Sequence, residues 1–262
     1  MRHAAVGART VKSGQSRWFI GYKKHSLRLW FSHYQDSVVL IPLMSWTAPA
    51  NRGDVLFLEP SLKYLHRKLD FTPWLVLGDM AYVKMAAQKR LREELQVGVL
   101  THLLPNLDVP APLAPALLLQ CHQGQKLRWL GLHPEEQLHW FGVDPEAECL
   151  CSYCWQRSGC AREFCFRPED HEIVLGTVPL NTRVGRRLLK QSRSWIEAAQ
   201  SYEKNQLGLS QFFLNSLRLT AVLCLLADTV CLLRAHAVVN GPPRERDWLQ
   251  QLRPNQLTLD LA

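Results

Sequence analysis

The acid at position 197 sits in unusual company. From Arg183 onward the basic residues are Arg183, Arg186, Arg187, Lys190 and Arg193, and then come Glu197 and Lys204, separated by steps of one, three, four or seven. At 3.6 residues per turn those positions line one stripe of a helix. The other side carries Val184, Leu188, Trp195, Ala199 and Tyr202, an apolar face with which such a helix docks on a core. Cations so closely spaced repel one another unless an anion lies among them, and a phosphate backbone is the anion that fits a row. One carboxylate in that field can hold a divalent metal beside a phosphate, as metal-assisted phosphoryl transfer requires. A solvated charged face is the plainer alternative.

A second acid stands in a context that presents it to a site. Trp74-Leu-Val-Leu-Gly-Asp79-Met-Ala-Tyr-Val83 is a short apolar run ending in Gly-Asp and passing into a helix, the way an α/β protein offers a carboxylate at the edge of its sheet. The alternative is an Asp that only caps a helix. Asp54, after the Pro49 to Gly53 loop, reads as such a cap for a helix running to about Leu69, interrupted or restarted at Pro60. Glu203 competes with Glu197 but lies about 100° around the helix from Lys204, so Glu197 is preferred.

These stretches resemble one family. Arg193-x3-Glu197-x6-Lys204 is similar to the C-terminal signature of DDE-type insertion-sequence transposases, Tyr-x2-Arg-x3-Glu-x6-Lys, with Lys190 standing where the family has Tyr. Gly78-Asp79-Met-Ala-Tyr82 looks like its Asp-x-x-Tyr motif, and Gly21-Tyr-Lys-Lys-His25 resembles its Gly-Tyr-Lys-x-His element. The resemblance implies a ribonuclease H-like α/β fold, a mixed sheet flanked by helices, with a Cys-rich insertion between the second Asp and the Glu. It implies metal-dependent DNA strand cleavage and transfer, with Asp79 and Glu197 as catalytic acids and ligands of Mg²⁺ or Mn²⁺. Arg183, Arg186, Arg187, Lys190, Arg193, Lys204 and Lys23 then become DNA-binding residues, and double-stranded DNA the partner, with a homodimer as a further expectation.

Such chemistry holds two ions about 4 Å apart with two Asp and one Glu. The first Asp belongs on a strand ahead of Trp18, yet no carboxylate precedes Asp36. The sequence therefore predicts a chain that starts late and is catalytically deficient by itself. Loss of the metal site altogether would leave a noncatalytic DNA-binding protein; a zinc-ribbon interaction module is a third reading.

The elements that must position these residues follow from composition and periodicity. The chain has 262 residues, 47% hydrophobic and 21% charged, an ordinary globular balance. Its net charge is +8, and the first 35 residues hold seven Lys and Arg and no acid, which favours a polyanionic partner over a merely soluble arm. Residues 1–17 read as a basic arm, 18–104 as the first part of the catalytic domain, 105–170 as a Pro- and Cys-rich insertion, 171–238 as the helical remainder and 239–262 as a tail. Strands are predicted at Trp18–Tyr22, Ser26–Phe31 and Val38–Ile41 in an antiparallel meander, at Val97–Leu103, and at His171–Pro179. A helix follows Asp79 from Ala81 to Gln96, the basic helix begins near Thr182, and an apolar helix runs from Leu209 to His236.

Within the insertion, Cys149, Cys151, Cys154, Cys160 and Cys165 follow closely. Their spacing allows a structural Zn²⁺ on Cys151, Cys154, Cys160 and Cys165, with plain reduced thiols as the alternative. No apolar leader precedes Trp18, so the expected location is the cytoplasm, with the nucleoid. The run Leu217–Leu233 carries Arg218 and Asp228 and reads as a buried core helix, with no membrane as partner.

Overall fold

The structure, a computed structural model, describes residues 5–10, 16–33, 37–103, 108–110, 113, 117–121, 124–133, 135–143, 163–209 and 216–240. Its longest strand decides the layering. β2 (Ser16–His33) pairs antiparallel with β1 (Ala5–Thr10) along its first third and with β3 (Ser37–Pro49) along the rest. The two strands expected at Trp18–Tyr22 and Ser26–Phe31 are thus one, because Lys23 to His25 stay in register with Ala48 to Trp46. The expected basic arm contains a strand, β1. Side chains alternate across a strand, so Lys23, His25 and Leu27 face one layer of β2 while Lys24, Arg28 and Trp30 face the other.

On the first side lies α1 (Val55–Leu69), which runs unbroken through Pro60. On the same side a β-α-β unit follows: β4 (Leu75–Gly78), a 3₁₀ turn at Met80–Tyr82, α2 (Met85–Leu95) and β5 (Gly98–Thr101), the two strands pairing parallel. Parallel strands are covered on both faces, and the residues divide accordingly. Val76 and Val99 pack with Leu58, Leu62 and Leu91 of the first two helices, and Leu27 of β2 joins them. Leu75, Leu77 and Leu100 point the other way, to Leu180, Leu188 and Leu189.

That second side is covered by α3 (Arg183–Ser201), a π-helical turn at Tyr202–Gln206, and α4 (Leu217–Asn240), which lies along β3. Thr182 starts α3 where the sequence places it, its hydroxyl accepting from Gly185 N at 2.9 Å and donating to Pro179 O at 2.7 Å. Gly185 is required there, since a Cβ would stand 2.5 Å from Pro179 O. The buried face of α3 is Gly185 and Leu189, with Trp195 tilted against Trp30 at 4.8 Å. Val184, expected on the docking face, is exposed, because the helix turns Leu189 rather than Val184 onto β5.

A third sheet, β6 (Leu127–His133), β7 (Leu138–Val143) and β8 (Glu163–Phe166), is antiparallel and lies within the span expected to be an insertion. Its core is Leu113, Leu127 and Phe141 against Val174 and Leu175. The strand expected at His171–Pro179 is instead a buried turn. Val174 N and Leu175 N both donate to His171 O, and Gly176 takes φ +38°. Burial from every direction makes such a segment as apolar as a strand, so composition alone misreads it.

The molecule is therefore a mixed α/β protein. Among the described residues its strands fall into three sheets and its α-helices number four. Cys151, Cys154 and Cys160 lie outside the described residues; Cys165 is exposed on β8.

One buried group in the third sheet gives the protein an acid-sensitive point. His139 is fully buried, with Trp129 Nε1 donating to its Nδ1 at 3.3 Å, so its proton sits on Nε2 and is donated to Gly176 O at 2.8 Å. Burial pushes its pKa below the ordinary 6.5, against the Gly176 bond and with help from the Arg92 charge. A folded-state value below the unfolded one means that acid favours unfolding: the contribution is complete above about pH 6.5 and is lost as pH falls through the folded value. The melting temperature should fall between about pH 7.5 and about pH 5.5, and His139→Gln, which can keep both hydrogen bonds, should flatten that fall. An equal pH dependence in the variant, read by thermal unfolding, assigns the effect elsewhere.

Candidate functional site

A cavity of about 700 Å³ opens between the β2 stretch Tyr22–Arg28, the end of β4, and α3 with its π turn. Asp79 and Glu197 both line it, and so do Lys23, Arg193 and Lys204. These five expected site residues, far apart in sequence, are thus brought to one place. Arg183, Arg186, Arg187 and Lys190 are not; they continue the stripe along the exposed side of α3, away from the cavity.

Asp79 does two things at once. As the residue after β4 it caps the 3₁₀ turn, accepting from Met80 N at 2.7 Å, and its position also exposes it to the cavity. The capping and site readings are compatible because a carboxylate has lone pairs beyond the one the turn uses. Glu197 is exposed on α3, one turn from Arg193, whose Nε donates to it at 2.9 Å. The Arg193 pKa is raised, first by that bond and its charge, and then by the charge of Asp79. Arg193 therefore sits in the field of both acids.

Asp54 corrects an expectation. It precedes α1 but makes no side-chain cap; its carboxylate reaches Lys23 Nζ at 3.2 Å and lines the same cavity. Beside it, His25 stacks on Phe57 at 4.0 Å, and its Nδ1 lies 3.2 Å from the Tyr82 hydroxyl. Burial lowers the His25 pKa against the pull of Asp54, and burial with the charges of Asp54 and Asp79 pushes Tyr82 up to about 12. At neutral pH the phenol keeps its proton, and the tautomer of His25 sets which of the two groups donates in this bond. His25 Nε2 faces Asp54 at 3.9 Å and has no hydrogen-bond partner among the described residues.

On the other face of β2 is a buried set of four charges. Lys24 Nζ lies 2.8 Å from Glu203 and 2.7 Å from Asp228, and Arg28 also donates to Glu203. Glu203, the competitor of Glu197, is thus a buried ion-pair partner held by two cations, while Glu197 is the exposed acid at the mouth. Periodicity from Lys23 to Arg28 already divides these cations between two faces, and a lone Asp228 in an apolar run signals a hidden partner. Neither signal names that partner.

The sites differ in fitness for metals. Among the described residues, no group of three or more His, Cys, Asp or Glu could hold an ion. Asp79 and Glu197 present carboxylates, the ligand type a hard cation takes, to one cavity. Three acids for two ions are not assembled by the described residues. Of the expected thiolate set, only Cys165 is described.

Fold and site together define a mixed α/β protein with a cleft between a sheet and a helix lined by both cations and carboxylates. No family model matches the chain, and neither a curated protein nor a solved structure matches it.

Proposed function

We propose that the chain is a DNA-binding protein of the DDE insertion-sequence transposase type, built on a ribonuclease H-like arrangement and deficient in strand cleavage by itself. The observation that carries this reading is the meeting of Asp79 and Glu197 on one cavity, with Arg193 between them in charge and Lys23 and Lys204 on the same walls. The exposed stripe Arg183, Arg186, Arg187 and Lys190 extends the positive surface outward by about 10 Å, the length of two turns, which suits a phosphate backbone passing the mouth.

A bound Mg²⁺ or Mn²⁺ would supply charge neutralisation at a phosphate and a more acidic water. The residues of this chain do the rest. Asp79 is held by Met80 N and needs no rearrangement, whereas Glu197 must leave Arg193 to reach an ion. Once released, the Arg193 guanidinium is free to take a phosphate oxygen, so cation and DNA binding should support each other. The Arg193–Glu197 pair favours the second reading, a noncatalytic DNA-binding protein, when no DNA is present.

Titration calorimetry with Mn²⁺ separates these. Binding is expected, tighter with duplex DNA present, and Glu197→Gln should weaken it about tenfold, the loss of one charged ligand of roughly 1.4 kcal/mol. Absence of heat in wild type with DNA leaves only the noncatalytic reading. Incubation with transposon-end DNA and either ion should give no nicking; nicking abolished by Asp79→Asn would overturn the deficiency.

A further inference from the structure

Only one side of α4 lies in a core. Cys224, Ala227, Asp228, Cys231 and Ala235 are buried, and Asp228 is fixed to Lys24 of β2 at 2.7 Å. The opposite side is apolar and open, with Leu219 55%, Leu226 57% and Leu233 66% exposed and Val222 and Val230 between them. At 100° per residue these five fall within about 80° of arc. Exposed Arg218 and Arg234 stand about 80° to either side of Leu226, one near each end of the strip. Arg234 also lies over the Tyr202 ring at 4.4 Å. Asp228 is the one acid in the helix and faces inward, so the helix offers no acid on its open side.

A second feature adjoins the Arg218 edge. A cavity of about 510 Å³ opens there between α4 and β3, walled by Trp46, Leu217, Ala221 and Leu225, with Arg218 among its lining residues. Trp46 is 38% exposed and is held edge-on against Tyr64 at 6.3 Å. An indole beside a cation at the border of an apolar strip suits a headgroup layer, the ring in the acyl boundary and the guanidinium among phosphates.

We infer that this face docks on an anionic bilayer. α4 lies flat with Leu219, Leu226 and Leu233 in the acyl boundary, one lipid chain in the Trp46 cavity, and headgroup phosphates on Arg218 and Arg234. Charge selects this occupant. A second copy of the chain would bring Arg218 onto Arg234 with the helices antiparallel, or each arginine onto its own counterpart with them parallel, whereas anionic headgroups neutralise both. Nucleic acid matches the cations but leaves the leucines in water. By length and composition α4 could cross a bilayer, but crossing would break the buried Asp228–Lys24 pair, and lying along the surface keeps it. The docking face is separate from the DNA stripe, which lies on α3.

The test is flotation of the full chain with vesicles of phosphatidylcholine alone and of phosphatidylcholine with about 30% phosphatidylglycerol. Binding to the anionic vesicles is expected, and binding to neutral ones should be about 25-fold weaker, roughly fivefold for each arginine. Leu226→Glu should cost at least about 100-fold by putting a carboxylate into the acyl boundary, and Arg218→Gln about fivefold. Leu226 is exposed, so the variant should keep its circular dichroism and melting behaviour. If it does not fold, Leu226→Ser takes its place, with an expected loss of about tenfold. A wild type that does not float with anionic vesicles, or that binds both kinds equally, would overturn the assignment. So would binding that survives the Leu226 substitutions but is lost when Arg186, Arg187 and Lys190 become Ala, or self-association without lipid that Leu226→Glu abolishes in sedimentation equilibrium.

Discussion

Glu203→Gln is expected to destabilise the protein by about 3–5 kcal/mol, the cost of breaking a buried ion pair from one side. The reason is local. Lys24 and Arg28 keep only 13% and 4% of their side-chain surface, and Glu203 is the acid to which both donate hydrogen bonds. Neutralising it leaves two largely buried cations with Asp228 as their remaining acid among the described residues. In a domain of this size about 1 kcal/mol is worth some 2–4 °C, so melting should fall by about 10 °C. The companion substitution gives the contrast: Glu197→Gln, 62% exposed and paired with Arg193 alone among the described residues, should stay within about 0.5 kcal/mol of wild type. Urea unfolding measures both. Adding Lys24→Met to Glu203→Gln removes the surplus cation and should recover part of the loss, a non-additivity that a double-mutant cycle reads directly. A Glu203→Gln loss below about 1 kcal/mol would mean the four-charge set is solvated rather than buried.

The second large effect concerns DNA. Replacing Arg186, Arg187 and Lys190 together by Ala should weaken duplex binding about 10²-fold at ~0.15 M salt and lower the slope of log affinity against log salt by about 2.7, three phosphates at 0.9 each. These side chains are exposed, and among the described residues no acid pairs with them, so their charge is available to a ligand. Folding should not suffer. Like charges at i, i+3 and i+4 repel by about 0.2–0.5 kcal/mol per pair, so the variant should be as stable as wild type or slightly more so. Fluorescence anisotropy against a salt series gives the answer. An unchanged slope removes the stripe from the DNA interface and leaves it a solvated face.

Much of the site was readable before any coordinates because its clues are local. Helical spacing put Arg193 and Glu197 one turn apart, and their hydrogen bond is the direct result. Thr182 declares the start of α3 through a hydroxyl three residues before a free N–H. Gly78-Asp79 after an apolar run marks a strand end, and the strand ends there. The errors share a cause too. His171–Pro179 reads as a strand, Asp54 as a cap and the last helix as a core element, each because a single segment cannot reveal what surrounds it.

The sequence by itself determined the periodicities: which residues share a stripe, where strands end, how the cations of Lys23 to Arg28 alternate. Those are set by backbone geometry and need no neighbours. Tertiary structure alone decided which carboxylate is hidden and which is offered, Glu203 or Glu197. It also decided that Asp54 turns to Lys23, and that α4 covers β3 while leaving its other face bare. Burial and charge pairing depend on segments up to 204 residues apart, as between Lys24 and Asp228, and chain folding is the only thing that brings them together.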